Sequence, residues 1–153
     1  MNSLYNYGSS IDYVQGTPHL FISDQWAASN PELLKKNGIR YVLNVTPIML
    51  PEHYGIKYKK VPLLDDPRQE IIQSLPECFE FLDEAYMNQC NVLVHCQAGI
   101  SRSSSIIIAY LLHKTPMNYD EALSVVKNSR PIVNPNVGFE QQLRHVSRVL
   151  KSR

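Results

Sequence analysis

The sequence predicts an α/β domain, on three observations. Short β-branched runs are interleaved with helical stretches, strand-rich in the first half of the chain and helix-rich in the second. Asn91-Val92-Leu93-Val94 is a short continuous apolar run of the kind that lies in the middle of a sheet, covered on both faces. A chain of 153 residues with 44% hydrophobic content suffices for one full core and is cramped for two. The domain is expected over residues 11–153, behind a flexible N-terminal arm of residues 1–10 whose Tyr, Asn and Ser show no periodicity.

Taken in order, extended runs are expected from Ile11 to Val14 and from His19 to Ile22, separated by the Gly16-Thr17-Pro18 turn. Asn30-Pro31 opens a helix as N-cap and first-turn proline, and Asn37-Gly38 closes it. Ile39 to Val45 is β-branched and aromatic and is stopped by Pro47; Lys57 to Leu64 is a second extended stretch. After the acidic turn Asp65-Asp66-Pro67, Ser74 and Glu77 have the spacing of a capping box. Behind it Leu75, Phe79, Leu82, Ala85 and Tyr86 recur at helical spacing as far as Asn88. Beyond the central strand a helix runs from Ser103 to His113, a second is capped by Asn118 with Glu121 and closed by Pro131, and a third is capped by Asn136. Phe139, Leu143, Val146 and Leu150 line one face of that last helix.

Charge and composition narrow the function. Fifteen Lys and Arg against 14 Asp and Glu leave a formal charge of +1, so no broad field draws the chain to nucleic acid or to an anionic membrane, and recognition of a polyanion has to be local. No apolar run approaches the ~20 residues that span a bilayer, and the opening MNSLYNYGSS has neither the basic nor the apolar region of a leader. Cytoplasmic localisation is therefore expected, and the odd count of three cysteines, Cys78, Cys90 and Cys96, fits free thiols there. Cys78 falls on the apolar side of its helix and Cys90 at the entrance to the central strand, which reads as packing. No Cys or His pair has metal-ligand spacing on both sides, so neither a metal nor a cofactor is expected.

The informative segment is His95-Cys96-Gln97-Ala98-Gly99-Ile100-Ser101-Arg102-Ser103, between a strand and a helix. Cys96 and Arg102 flank five residues, and so short a loop running into a helix N-terminus turns its backbone N–H groups inward as an anion cradle. Gly99 supplies the backbone freedom such a turn needs. Arg102 can return a bidentate guanidinium to two phosphate oxygens, a fork that Lys does not reproduce. Positive surroundings favour the thiolate form of a cysteine, and a thiolate facing a phosphate monoester is a nucleophile. The bland reading of Cys96, a buried thiol ending a strand, leaves the Arg102 and Gly99 spacing unexplained.

HCQAGISRS preceded by VLV resembles the signature of the cysteine-dependent protein phosphatases, in their small (atypical) dual-specificity branch. The stretches GTPHLF, GIRYVLNVT, VPLLDD, PECFEFLDEA, IIIAYLL and RPIVNPNVGFEQQL are similar to that branch in the same order. The resemblance implies a central mixed, mostly parallel sheet flanked by helices, with the phosphate-binding loop, Gln97 to Arg102, between a central strand and a helix. It implies metal-free hydrolysis of phosphotyrosine and of phosphoserine or phosphothreonine through a phosphocysteine on Cys96, with phosphorylated proteins as partners. A general acid is implied upstream, and Pro62-Leu63-Leu64-Asp65 matches the family pattern, which favours Asp65 over its neighbour Asp66. His95 is implied to bond the loop backbone, and Asn136 to support the acid and phosphate loops. Ser103 is placed to donate to the departing thiolate, and as a first-turn serine it can cap the backbone as well. Arg68 and Arg130 are either contacts for a second phosphate or solvated surface arginines. Two rival readings remain: a phosphate-reading binding module that has lost turnover, and the same chemistry on a phosphoinositide or an RNA 5′-phosphate.

Overall fold

A computed structural model describes residues 9–152. Most of the expected arm, residues 1–8, lies outside them. Its last two residues are tied down: the Ser9 hydroxyl donates to Asp24 and that of Ser10 to Asp12.

Five strands form one sheet: β1 (Ile11–Tyr13), β2 (Leu20–Ser23), β3 (Ile39–Asn44), β4 (Lys57–Lys60) and β5 (Asn91–His95). Their order across the sheet is β1-β2-β5-β3-β4, with β1 antiparallel to β2 and every other pair parallel. β5 is thus the central strand, and its alternation divides the core. Val92 and Val94 pack with Ile106, Ile107, Phe139 and Leu143 on one face, while Leu93 packs with Ala27, Ala28 and Leu34 on the other.

The larger face is covered by α3 (Leu75–Met87), α4 (Arg102–Lys114), α5 (Tyr119–Ser129) and α6 (Val137–Lys151), the smaller by α1 (Gln25–Ala28) and α2 (Pro31–Lys36). α4 is buried from Arg102 to Leu112, so three consecutive serines lie in the interior. Each is satisfied locally: Ser104 and Ser105 donate to the Ser101 carbonyl, and Ser103 meets Cys96. Among the described residues no helix is long and apolar enough to cross a membrane.

Most caps stand where the sequence puts them. Asn30 accepts from Glu32 and Leu33, Asn118 and Glu121 close a reciprocal capping box, and Asn136 accepts from Phe139. Three expectations need correction, and one helix is new. The Ser74–Glu77 box does not form, because a 3-10 turn over Ile72–Ser74 runs directly into α3 and leaves Ser74 helical rather than extended. Cys78 is buried in α3 as expected, but the stripe also takes in Phe81, whereas Tyr86 is exposed. The extended run from Lys57 leaves the sheet after Lys60; Val61 makes one further bond to Asn44, and Leu63 drops into the core. α1 was not anticipated; Asp24 caps it by accepting from the Ala27 N–H.

Candidate active site

Parallel strands converge their carboxyl ends on one edge of the sheet, and the crevice outside that edge is where open α/β sheets bind ligands. Here β5 delivers His95 between Ser23 of β2 and Asn44 of β3, and the chain then turns through Cys96 to Ser101 before α4 begins at Arg102. A cleft of about 650 Å³ opens on this turn, lined among others by Asp24, Trp26, Asp65, Cys96, Arg102 and Ile132.

The chemistry of the turn follows from its hydrogen bonds. Each carbonyl from Cys96 to Ser101 accepts a bond. That of Cys96 accepts from His95 Nδ1 and that of Gln97 from the Gln25 N–H. Ala98 and Gly99 accept from Arg130, Ile100 from the Asn134 N–H, and Ser101 from the Ser105 N–H. A trans peptide points its N–H opposite to its C=O. The N–H groups of Gln97 through Ser101 find no acceptor among the described residues and are left to a bound anion. Gly99 makes the turn possible: its φ is +69°, and a Cβ there would sit 2.7 Å from the Ser23 carbonyl oxygen.

Arg102 lies along the cleft with 8% exposure. Its Nη1 donates to the Leu63 carbonyl at 3.0 Å, while its buried Nε has no partner. An orphaned guanidinium N–H beside a ring of unspent backbone N–H groups fits an oxyanion. Cys96 Sγ is 3.2 Å from Ser103 Oγ, a contact in which either group can donate, so the hydroxyl stands within hydrogen-bonding reach of the sulfur. The N-cap position belongs to Ser101, whose Oγ instead accepts from the Asn136 N–H.

His95 is buried, and since a carbonyl only accepts, its Nδ1 carries the proton donated to Cys96. Burial pulls its pKa down to about 4, against smaller raising effects of that bond and of Asp24, so the ring is neutral at physiological pH.

Asp65 and Asp66 diverge. Asp65 lines the cleft and its Oδ1 accepts from Asn136 Nδ2 at 2.9 Å. Asp66 instead accepts from Arg68 through the backbone N–H, Nε and Nη2, and those bonds hold its carboxyl well below the usual range, at about 2. Arg68 is thereby an exposed partner of Asp66. Asn136 therefore spans both loops: it caps α6, holds Asp65 and bonds Ser101. The acid loop also rests on the start of α6 at Gly138, where a Cβ would fall 1.9 Å from the Pro67 carbonyl oxygen.

Arg130 is not a solvated surface arginine. It lines the cleft but is 7% exposed, and it donates to the Ala98 and Gly99 carbonyls and to Asp12. Sequence reasoning also missed Asp24, Trp26 and Ile132 on the cleft rim. The signal available was Asp24 directly after a strand, the position of an N-cap at the carboxyl edge of a parallel sheet. Cys78 is fully buried, and burial pushes its thiol up to about 12; Cys90 is half-buried. Among the described residues no group of three or more His, Cys, Asp or Glu is arranged to hold a metal ion.

Residues 20–149 match the family model of the dual specificity phosphatase catalytic domain. The chain is 39% identical over 142 residues to Dual specificity protein phosphatase 9 of Homo sapiens, covering 90% of this chain and 37% of that protein. It is 39% identical over 135 residues to Dual specificity protein phosphatase 19 of Mus musculus, covering 83% and 58%. It thus spans between about a third and three-fifths of these relatives' length. Among solved structures the crystal structure of DUSP15 superposes with a TM-score of 0.85 at 32% identity, covering 95% of this chain and 97% of that one.

Proposed function

Because this chain belongs to the dual-specificity phosphatase family, we propose that it hydrolyses phosphotyrosine and phosphoserine or phosphothreonine on proteins of the cytoplasm through a phosphocysteine on Cys96. The observation that carries the reading is the loop from Cys96 to Ser101, with every carbonyl engaged outside the cradle and the Arg102 Nε unpartnered beside it.

In the first step the Cys96 thiolate attacks phosphorus in line. An S–P bond forms as the ester P–O bond breaks, and Asp65 protonates the departing alkoxide or phenoxide. The three equatorial oxygens gain charge against backbone N–H groups and the Arg102 fork, donors that are already fixed and need no reorganisation. In the second step Asp65, now a carboxylate, takes a proton from water as that water attacks phosphorus. The S–P bond breaks, and Ser103 donates a hydrogen bond to the leaving thiolate. The products are inorganic phosphate and free enzyme. His95, neutral and bound to the Cys96 carbonyl, orients the nucleophile's backbone and exchanges no proton.

A phosphate-reading module without turnover is not favoured, since Cys96, Arg102 and Asp65 are all present and meet in one cleft. A phosphoinositide with further phosphates has little to engage, because the second guanidinium at the cleft, Arg130, is already paired with Asp12. The test is hydrolysis of a phosphotyrosine peptide, a phosphothreonine peptide and a phosphoinositide side by side, with wild type and Cys96→Ser. Cleavage of both peptides by wild type is expected, with Cys96→Ser inactive but still binding them. Turnover by Cys96→Ser, or hydrolysis of the phosphoinositide alone, overturns the reading.

A further inference from the structure

We propose that Arg130 is a positioning residue of the phosphate cradle, locking the Ala98–Gly99 and Gly99–Ile100 peptides so that their N–H groups face the anion, and that Asp12 on β1 holds Arg130 to that task. The inference rests on the phosphatase reading of the cleft. Four carbonyls from Gln97 to Ile100 must face outward for the cradle to present donors. Those of Gln97 and Ile100 are held by main-chain N–H groups of Gln25 and Asn134, at 3.0 and 2.8 Å. Those of Ala98 and Gly99 are held by one side chain, at 3.1 Å from Arg130 Nη2 and 2.9 Å from its Nε.

The two peptides so held flank Gly99, and a glycine lacks the Cβ that would bar its neighbouring peptides from rotating. If either peptide flips, a carbonyl oxygen replaces an N–H at the anion and an attractive contact becomes repulsive. Loop and arginine are built for each other. A Cβ on Gly99 would sit 2.8 Å from Arg130 Nη2, so the residue that leaves the loop free to turn is also the one that admits the guanidinium.

Asp12 completes the arrangement. Its Oδ2 accepts from Arg130 Nη1 at 2.8 Å, with the arginine side chain 8% and the aspartate 23% exposed, and Ser10 donates to its other oxygen. The ion pair is neutral as a unit, so its effect on a bound phosphate is orientation more than added charge. Each guanidinium nitrogen of Arg130 thus makes one of these bonds, and three of its five N–H groups hold the side chain in a single orientation against the loop.

The experiment compares wild type, Arg130→Lys and Asp12→Asn in three measurements: calorimetric binding of tungstate, kcat and KM on matched singly and doubly phosphorylated peptides, and Tm. Lys keeps the charge opposite Asp12 but cannot reach both carbonyls, so tungstate binding should weaken by about tenfold. kcat/KM should fall by one common factor on both peptides, with a loss in kcat. Asp12→Asn, which keeps a hydrogen-bond acceptor and is the milder change, should shift all three in the same direction by a few-fold. A loss confined to the doubly phosphorylated peptide would make Arg130 a second-phosphate reader and overturn the proposal. A lower Tm with tungstate affinity and kinetics unchanged would do the same by reducing it to a structural ion pair. If wild type cleaves no peptide, the phosphatase reading fails, and tungstate binding alone still decides whether Arg130 shapes the cradle.

Discussion

Replacing His95 by Asn should remove a specific acid sensitivity from the fold. The amide Nδ2 of Asn can take over the donation of His95 Nδ1 to the Cys96 carbonyl, but it does not titrate. Burial holds the folded imidazole neutral down to about pH 4, whereas in an unfolded chain it takes its proton near 6.5. Between those values the unfolded chain binds the extra proton. Stability is therefore complete above about pH 6.5 and falls as pH drops. At roughly 1.4 kcal/mol per pH unit, the gap between 6.5 and about 4 amounts to roughly 3 kcal/mol, of which about 2 is already lost at pH 5. Set against a typical 5–15 kcal/mol for a whole domain, that is a large fraction. Asp66 and Glu84, whose carboxyls are held low by Arg68 and Lys57, also lose their partners' help in acid, but they are exposed and equally present in both proteins. Urea midpoints at pH 7.5, 6 and 5 measure the difference. The packing lost with the smaller Asn costs the variant a fixed amount that does not depend on pH, so the gap between the two proteins should narrow in acid, the wild type losing about 2 kcal/mol more than the variant between pH 7.5 and 5. Parallel losses in the two proteins would refute the placement of a neutral, buried imidazole under the loop.

The two remaining predictions concern the acid loop. Asp65→Asn should lower kcat by about 100-fold and remove the basic limb of the pH profile, whereas Asp66→Asn should free Arg68 and leave kcat nearly unchanged; steady-state kinetics in which the two exchange roles would move the acid by one residue. Gly138→Ala puts a Cβ 1.9 Å from the Pro67 carbonyl oxygen, so the backbone two residues beyond Asp65 must shift. kcat should fall by roughly 10- to 100-fold while tungstate binding in the cradle is retained, and unchanged kcat would show that the loop position does not matter to proton transfer.

What could be read from the sequence was what the chain completes within a few residues. Cys96, Gly99 and Arg102 lie in one turn, and their spacing between a strand and a helix suggests a cradle. Asn118 with Glu121, and Asn30 with Pro31, likewise settle their helix starts locally. The Ser74–Glu77 pattern is the instructive exception. The same four residues make a box only if Ser74 is extended, and the turn at Ile72 that keeps it helical is not visible in the motif. Arg130 failed for a different reason. Its partners Asp12, Ala98 and Gly99 are far away in sequence, and they meet only because β1 lies beside β2, β2 beside β5, and α5 ends above the loop. Asp24, Trp26 and Ile132 reach the cleft through that same strand order.

The direction of β5 also bears on how Cys96 fares under oxidants. Cys90 precedes the strand and Cys96 follows it, so at about 3.3 Å per residue their backbones are roughly 20 Å apart, against the ~7 Å limit for a disulfide. Cys78 shares the core with Cys96, but its thiol, fully buried and pushed up to about 12, stays protonated and is a poor attacker. A Cys96 sulfenic acid has no resolving thiol among the three cysteines. Its rescue falls to glutathione or another external thiol in competition with further, irreversible oxidation to the sulfinic acid.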